Sequence, residues 1–247
     1  METLEHHKQA EIESHARSLC EGLPHTFRKP FGPPWGNEYW VKWATVSEAL
    51  PSLGLDPDSA ILDVGCGTGW TTLFLAEAGY RALGLSLAPA EIEIAENRAR
   101  SWGSSAQFVV GDMDSMALEQ SFDGVLVFDA LHHSTRPGVV VENIACHLRP
   151  GGWVLFGEPS VLHSISPSAR RAHRELGWTE KGISVLRLKR ACTAAGLGNF
   201  KRYFEGTRPY QRGVASFGRQ LLCLVAANFA FAPQTSVWLA AQKLPRP

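Results

Sequence analysis

Short apolar runs alternate with helix-length amphipathic stretches through the middle of the chain, and glycine or proline separates them. The apolar runs predict five strands, at 60–64, 81–85, 107–110, 122–128 and 153–156. The stretches between them predict helices at 70–78, 89–102 and 137–148. Strands that are apolar on both faces and are joined through helices are typical of a parallel sheet covered on both sides. The pattern therefore predicts a doubly wound α/β fold.

The N-terminal part of the chain has a different pattern. Residues 1–22 predict a polar, acidic helix, and residues 23–37, which hold four prolines, predict an ordered loop. Residues 38–50 predict a helix with an apolar face. We therefore predict a helical cap with a Pro/Gly-rich segment at 1–56, followed by the α/β domain at 57–247.

The C-terminal part continues the fold less regularly. It predicts a helix at 184–195 and two final strands, at 200–205 and 235–242. Two insertions are predicted on the acceptor side, at about 159–183 and 207–234, and the second contains a helical pattern. This second insertion fits a lid, a dimer contact or a helix on a membrane surface, and the sequence does not separate these three.

Composition excludes several classes of protein. The chain has 247 residues, of which 45% are hydrophobic and 19% charged, so it is neither disordered nor a small disulfide scaffold. The most apolar stretch, 221–232, is shorter than the roughly 20 residues of a membrane-spanning helix. The polar N-terminus is unlike a signal peptide. Five scattered cysteines without a CxxC motif indicate reduced thiols in a cytoplasmic protein, and no metal site is expected.

Charge is distributed unevenly along the chain. Residues 1–159 carry 10 Lys and Arg against 21 Asp and Glu, whereas residues 160–247 carry 14 against 3. The basic part fits either an ordinary solvated face or a surface that meets an anion. Nucleic acid is not an expected partner, because the basic patch lacks interleaved aromatic residues and the total charge is zero.

The sharpest motif is the glycine turn of residues 63–69, Asp-Val-Gly-Cys-Gly-Thr-Gly, which lies between a predicted strand and a predicted helix. Glycines let a backbone approach a ligand closely, and the helix N-terminus offers unpaired N–H groups. A dinucleotide site favours a small residue where this chain has Trp70, so an NAD-dependent oxidoreductase is disfavoured. The phosphate-binding motif GxxxxGK[ST] is absent.

Five segments in order resemble class I S-adenosylmethionine-dependent methyltransferases of the small-molecule type. They are ILDVGCGTGW, ALGLSLAPAEIEIAENRA, FVVGDMDSM, FDGVLVFDALHH and LRPGGWVLFGEP, and they cover about 60–159. The resemblance implies a Rossmann-like, mostly parallel sheet with an antiparallel C-terminal strand. It also implies S-adenosylmethionine as cofactor and S-adenosylhomocysteine as product.

The resemblance also assigns residues to the cofactor. Asp63 would brace the glycine turn and reach the amino group of the cofactor, and Asp112 would accept from the adenine amino group. Met113 would pack on the adenine ring, and Asp129 would wall the site. The turn residues that would line the methionine part are Gly65, Cys66, Gly67, Thr68 and Gly69. The alternative for Asp63 is loop bracing alone, and the alternative for Asp112 is a turn at a strand end.

Ser86 departs from the family pattern. The family usually ends its second strand with an acidic residue that binds both ribose hydroxyls, and Ser86 stands at that position. A serine hydroxyl does not match the charge-assisted hydrogen bonds of a carboxylate. Binding is then weaker, or another group compensates, or the protein has left methyl transfer. We favour the second option, under which a Ser86→Asp variant binds the cofactor at least as well.

Candidate catalytic residues follow the fourth and fifth strands. His132 and His133 lie at the expected mouth of the site, where either would serve as general base for a hydroxyl acceptor, with His133 favoured as the farther into the loop. Glu158 is a second candidate. Each has a structural alternative, namely pocket shaping for the histidines and helix capping or a structural hydrogen bond for Glu158.

Acceptor-side residues are predicted on both flanking segments. Trp35 and Tyr39 would close the pocket and exclude water, or form the core of a capping helix. Arg170 and Arg174 would bind an anionic group of the acceptor. The predicted function is methyl transfer to an oxygen or nitrogen of a small molecule. The alternative is a methyltransferase-like protein used for cyclisation or for binding, and a homodimer stays open.

Overall fold

The computed structural model describes residues 8–10, 12, 13, 16, 29–31, 36–161, 163, 174, 181–203 and 236–245. Within these residues, seven strands form one sheet in the order β3-β2-β1-β4-β5-β7-β6. The strands are β1 Ala60–Val64, β2 Arg81–Ser86, β3 Gln107–Val110, β4 Phe122–Phe128, β5 Leu148–Pro159, β6 Leu197–Tyr203 and β7 Ser236–Lys243. Strands β1 to β5 pair in parallel, and β7 runs antiparallel between β5 and β6. The predicted fold class is confirmed.

Helices cover both faces of this sheet. They are α1 Gly36–Ser52, α2 Trp70–Glu77, α3 Pro89–Trp102, α4 Pro137–His147 and α5 Val185–Ala194. Each predicted strand and helix among the described residues is found, with ends that differ by a few residues. The largest difference is β5, which begins at Leu148 rather than at 153 because the Pro-Gly-Gly turn continues the strand.

Strand residues alternate between two apolar clusters, one on each face. In β4, Val125 and Val127 belong to the cluster that α4 and α5 cover, whereas Leu126 belongs to the cluster that α1 and α2 cover. This alternation follows from the two-residue period of a strand, since successive side chains point to opposite faces. Helix α1 packs into the second cluster through Val46, so it shares a core with the sheet. The domain boundary at residue 56 stays a prediction.

Strand order reverses between β1 and β4. The chain builds β1, β2 and β3 outward in one direction and then places β4 and β5 on the other side of β1. Parallel sheets bind ligands outside the carboxyl ends of their strands at such a reversal. The glycine turn follows β1 and the loop of residues 129–133 follows β4, so both predicted halves of the site meet at this point.

Candidate functional site

The glycine turn is fitted tightly against the loop after β4. Gly65 has φ 76°, and a Cβ atom added to it would lie 2.4 Å from the Cβ of Ala130. Gly69 has φ 82° and precedes α2. Both positions require glycine, because other residues disfavour positive φ and because Gly65 has no room for a side chain. The turn therefore exposes bare backbone where the sequence predicts the cofactor.

Asp63 braces this turn from below. Its buried carboxylate accepts hydrogen bonds from the hydroxyls of Thr71 and Thr72 in the first turn of α2, the latter at 2.7 Å. Burial raises the pKa of Asp63 to about 6, although both hydrogen bonds act in the opposite direction. Bracing is thus visible in the structure, and contact with the amino group of a cofactor stays a prediction.

Cys66 and Thr68 occupy the other side-chain positions of the turn, and both are buried. Burial raises the pKa of the Cys66 thiol well above its usual range, so this thiol is a poor nucleophile. Arg98 of α3 donates to the carbonyl oxygen of Thr68 at 2.9 Å and to its hydroxyl at 3.0 Å. The turn is therefore held by contacts from both α2 and α3.

Ser86, the residue that departs from the family pattern, is the last residue of β2. Its hydroxyl donates to Oε2 of Glu91 at 2.8 Å, and both residues are buried. Glu91 lies in the first turn of α3. A carboxylate therefore stands beside Ser86, although it comes from the following helix.

Asp112 and Met113 follow β3. One carboxylate oxygen of Asp112 caps the short 3₁₀ turn of Met113–Ser115 by accepting from the Asp114 N–H at 2.8 Å. The other oxygen accepts from the ammonium of Lys8. Met113 packs against the core cluster on the α4 side. The turn role of Asp112 is visible, and its contact with adenine stays a prediction.

Asp129 stands directly after β4 in the positive-φ region, at 50°. Its carboxylate accepts from the ammonium of Lys42 in α1 at 3.2 Å, and the Lys42 side chain is only 8% exposed. Although burial acts in the opposite direction, the nearby charges of Lys42, His132 and Lys29 hold the pKa of Asp129 below its usual value. The acceptor side of the site therefore has an ion pair at the end of β4.

Glu158 organises the loop after β4. Its fully buried carboxylate accepts from the N–H groups of Ala130 and Leu131 at 3.0 and 2.9 Å, and from the N–H of His132 at 3.2 Å. Its Oε2 also lies 2.9 Å from Nδ1 of His132. This geometry favours a positioning role for Glu158 over direct contact with an acceptor.

The two candidate histidines lie side by side in the 3₁₀ turn of Leu131–His133. Their ring centroids are 4.0 Å apart. His132 is buried and is oriented by Glu158, whereas His133 is half-buried. A carboxylate that holds Nδ1–H of an imidazole fixes the tautomer in which Nε2 accepts a proton. This orientation is visible for His132, and the role of either histidine as a base stays a prediction.

Aromatic residues pack together between α1, α2 and β4. Tyr39 meets Trp70 edge to face at 5.7 Å, and Trp70 meets Phe128 at 5.5 Å. The ammonium groups of Lys29 and Lys42 lie 4.8 and 5.7 Å from the centre of the Tyr39 ring. Tyr39 thus takes part both in the core of α1 and in the surroundings of Asp129.

The remaining predicted acceptor residues stay predictions. Arg174 is exposed. Trp35, Arg170 and the 207–234 insertion lie outside the described residues. Among the residues that the structure does describe, no group of three or more His, Cys, Asp or Glu side chains is arranged to hold a metal ion. In the same part of the chain, every helix is too short or too polar to cross a bilayer.

Comparison with known proteins matches the central part of the chain to a family model. Residues 62–156 match the model of a methyltransferase domain. This part of the chain is therefore similar to methyltransferases. A ubiquinone biosynthesis O-methyltransferase of Methylocella silvestris is 32% identical over 162 residues, which are 62% of this chain and 63% of that protein. The chain therefore spans less than two thirds of the length of this relative.

Solved structures share the fold of this chain. The YcgJ protein of Bacillus subtilis superposes with a TM-score of 0.62 at 16% identity, over 82% of this chain and 99% of that one. The [4+2]-cyclase SpnF superposes with a TM-score of 0.59 at 20% identity, over 83% and 81%. Since a cyclase has the same fold, superposition alone does not choose between methyl transfer and cyclisation.

Three polar residues of the candidate site were not predicted from the sequence. Lys42 and Glu91 are buried charges, and Lys8 pairs with Asp112 and Asp114. The sequence pattern could have indicated Lys42, because it lies on the same helical face as Tyr39 and Val46. It could also have indicated Glu91, an acidic residue five positions after Ser86, where the family usually has an acidic residue. No feature of the sequence indicates Lys8.

Proposed function

We propose that this chain transfers the methyl group of S-adenosylmethionine to an oxygen of a small molecule. The observation that carries the proposal is the buried His132–Glu158 pair, which stands beside the glycine turn at the carboxyl edge of the sheet. An imidazole oriented by a carboxylate is a base for a hydroxyl, whereas an amine acceptor needs little such help. The printed name of the Methylocella relative, an O-methyltransferase, supports the same choice of atom.

The residues present fit the cofactor. The bare turn at Gly65 and Gly67 offers backbone approach, and a Cβ atom at Gly65 would lie within 2.4 Å of Ala130. The first turn of α2 offers unpaired N–H groups. Asp63, Asp112 and Glu91 supply carboxylates around this turn, as a cofactor rich in amino and hydroxyl donors requires. When bound, S-adenosylmethionine supplies an electrophilic methyl group.

The acceptor side supplies proton transfer and water exclusion. Nε2 of His132 takes the hydroxyl proton as the oxygen becomes nucleophilic, and Glu158 stabilises the resulting imidazolium. Lys42 lies close enough to Asp129 to offset the charge of that carboxylate, so that the developing oxyanion does not meet an uncompensated anion. Tyr39, Trp70 and Phe128 pack edge to face next to Lys42, and in this proposal their rings exclude water from the acceptor side.

The first test is calorimetric titration of the purified full chain with S-adenosylmethionine and S-adenosylhomocysteine. The expected result is binding of both at micromolar strength. The second test supplies the methyl-labelled cofactor with phenols, catechols, aliphatic alcohols, carboxylic acids and amines. We expect label in one of the oxygen classes. Absence of binding would refute the cofactor assignment, and label in amines alone would refute the oxygen assignment.

A further inference from the structure

We propose that Glu91, rather than the residue at the end of β2, supplies the carboxylate that binds a ribose diol in this site, with Ser86 as its positioning residue. The inference rests on the proposed function, because it concerns how the same cofactor is held. Glu91 lies in α3, five residues after Ser86, the position where the family usually has its acidic residue.

The location of Glu91 is the first observation. Helix α3 begins three residues after β2 ends, so its first turn lies above the carboxyl edge of the sheet. A Cβ atom added at Gly67 would lie 3.6 Å from Oε1 of Glu91. The carboxylate therefore lies against the middle of the glycine turn, where the backbone is bare.

The bond to Ser86 is the second observation. The Ser86 hydroxyl has one proton, and it donates this proton to Oε2 of Glu91 at 2.8 Å. This bond fixes the rotamer of a side chain that would otherwise have three free torsions. It uses one of about four acceptor positions of a carboxylate. Serine and glutamate together thus place an anionic acceptor close to the position where β2 ends.

Capping of α3 does not explain the burial of Glu91. The N-cap position is held by Ala88, which makes no side-chain cap, and Glu91 is directed towards Ser86 and Gly67. The exposed fraction of Glu91 is only 4%. A carboxylate accepts at about four positions, so one carboxylate can accept from both hydroxyls of a vicinal diol.

The geometry changes one expectation drawn from the sequence. Ser86→Asp alone was expected to bind the cofactor at least as well as the natural chain. The new carboxylate would stand beside that of Glu91, and like charges at this distance repel. We now expect Ser86→Asp to weaken binding and the double variant Ser86→Asp, Glu91→Gln to restore it, because the carboxylate then returns to the strand end.

The experiment measures affinity by calorimetry for two probes, S-adenosylhomocysteine and its 2′,3′-dideoxy analogue. Two charge-assisted hydrogen bonds are worth about 10- to 100-fold each in affinity. Glu91→Gln should therefore weaken S-adenosylhomocysteine by at least 10-fold and the dideoxy analogue by no more than about 2-fold. Glu93→Gln, at an exposed position of the same helix, is the matched control and should change neither.

Thermal unfolding of the ligand-free variants shows whether each one folds. If Glu91→Gln does not fold, the two probes are compared on the natural chain and on the double variant. Each of these two proteins should bind S-adenosylhomocysteine at least 10-fold more tightly than the dideoxy analogue. Equal losses for both probes in Glu91→Gln, or no loss for either, would overturn the inference while the proposed function stands. If the natural chain binds neither probe, the proposed function fails first.

Discussion

Asp63 and Asp129 stand at the carboxyl ends of neighbouring strands, and their surroundings shift their pKa values in opposite directions. Asp63 is buried among hydroxyl donors, and its pKa rises to about 6. Asp129 faces Lys42 and Lys29, and its pKa falls below the usual value. At Asp63, neutral hydrogen-bond donors do not offset the rise in pKa that burial causes. At Asp129, nearby cations lower the pKa by more than burial raises it.

The two halves of the site differ in the same way as these two residues. In the cofactor half, two carboxylates accept from residues that are close in sequence, namely Asp63 from Thr71 and Thr72, and Glu91 from Ser86. Asp112 is the exception, because its partner Lys8 is 104 residues away. The acceptor half uses partners from distant elements, as with Lys42 of α1 for Asp129. The first arrangement suits a fixed cofactor with its own donors, and the second suits a site where charge develops during reaction.

The largest expected effect is on the acceptor half. His132→Ala should lower the rate of methyl transfer by about 10²- to 10⁴-fold, because it removes the base, and should leave the affinity for S-adenosylhomocysteine within about 2-fold. His133→Ala is the matched control on the adjacent residue and should retain most of the rate. Single-turnover assays and calorimetry measure the two quantities. A larger loss of rate in His133→Ala than in His132→Ala would indicate that His133, which the sequence favoured, is the base.

A smaller effect is expected at Asp63. Its folded-state pKa of about 6 lies above the value of 3.8 for an unperturbed Asp, so the folded state holds this proton more tightly than the unfolded state. Stability from this group is therefore present below about pH 4 and is lost as the pH rises through 6. Asp63→Asn removes the titration and keeps one acceptor for the threonine hydroxyls. Between pH 4 and 7, the free energy of unfolding of the variant should gain about 2–3 kcal/mol relative to the natural chain.

Urea unfolding at a series of pH values measures this difference. The natural chain and the variant are compared at each pH, so that all other titrating groups cancel. A difference that stays constant from pH 4 to pH 7 would show that Asp63 keeps an ordinary pKa. The pKa values of Asp63 and Asp129 would then not be shifted in opposite directions.

The smallest expected effect is at Asp129, and its sign is opposite. Because the folded-state pKa is lowered, the group stabilises the fold above the unfolded pKa, and this stabilisation is lost as the pH falls through the folded value. Asp129→Asn should lower the free energy of unfolding by about 1–2 kcal/mol at pH 7, and this deficit should shrink as the pH falls below about 4 towards the folded-state pKa. Asparagine also tolerates the positive φ at this position, so backbone strain is not added. The same urea series measures it, and a deficit independent of pH would contradict the ion-pair explanation.

Sequence reasoning recovered the cofactor half more fully than the acceptor half. The glycine turn and Asp63 follow one another along the chain, so local spacing was enough to predict where they meet. The partner of Asp129 comes from a helix 87 residues away, and that of His132 from a strand 26 residues away. Such pairings depend on which helix covers which face, and the hydrophobic pattern states only that a face is covered. Glu91 was missed for another reason, since the family comparison directs attention to the strand end alone.

The position of β7 has a consequence for synthesis on the ribosome. Strand β6 pairs only with β7 among the described strands, and β7 is the last of them to be made. Until residues 236–243 have left the exit tunnel, β5 presents an unpaired edge and β6 has no place in the sheet. The fully buried Trp238 of β7 packs against Gly157 of β5, where an added Cβ atom would lie 2.4 Å from its ring. The nascent chain is therefore open to edge-to-edge association until β7 is available for pairing.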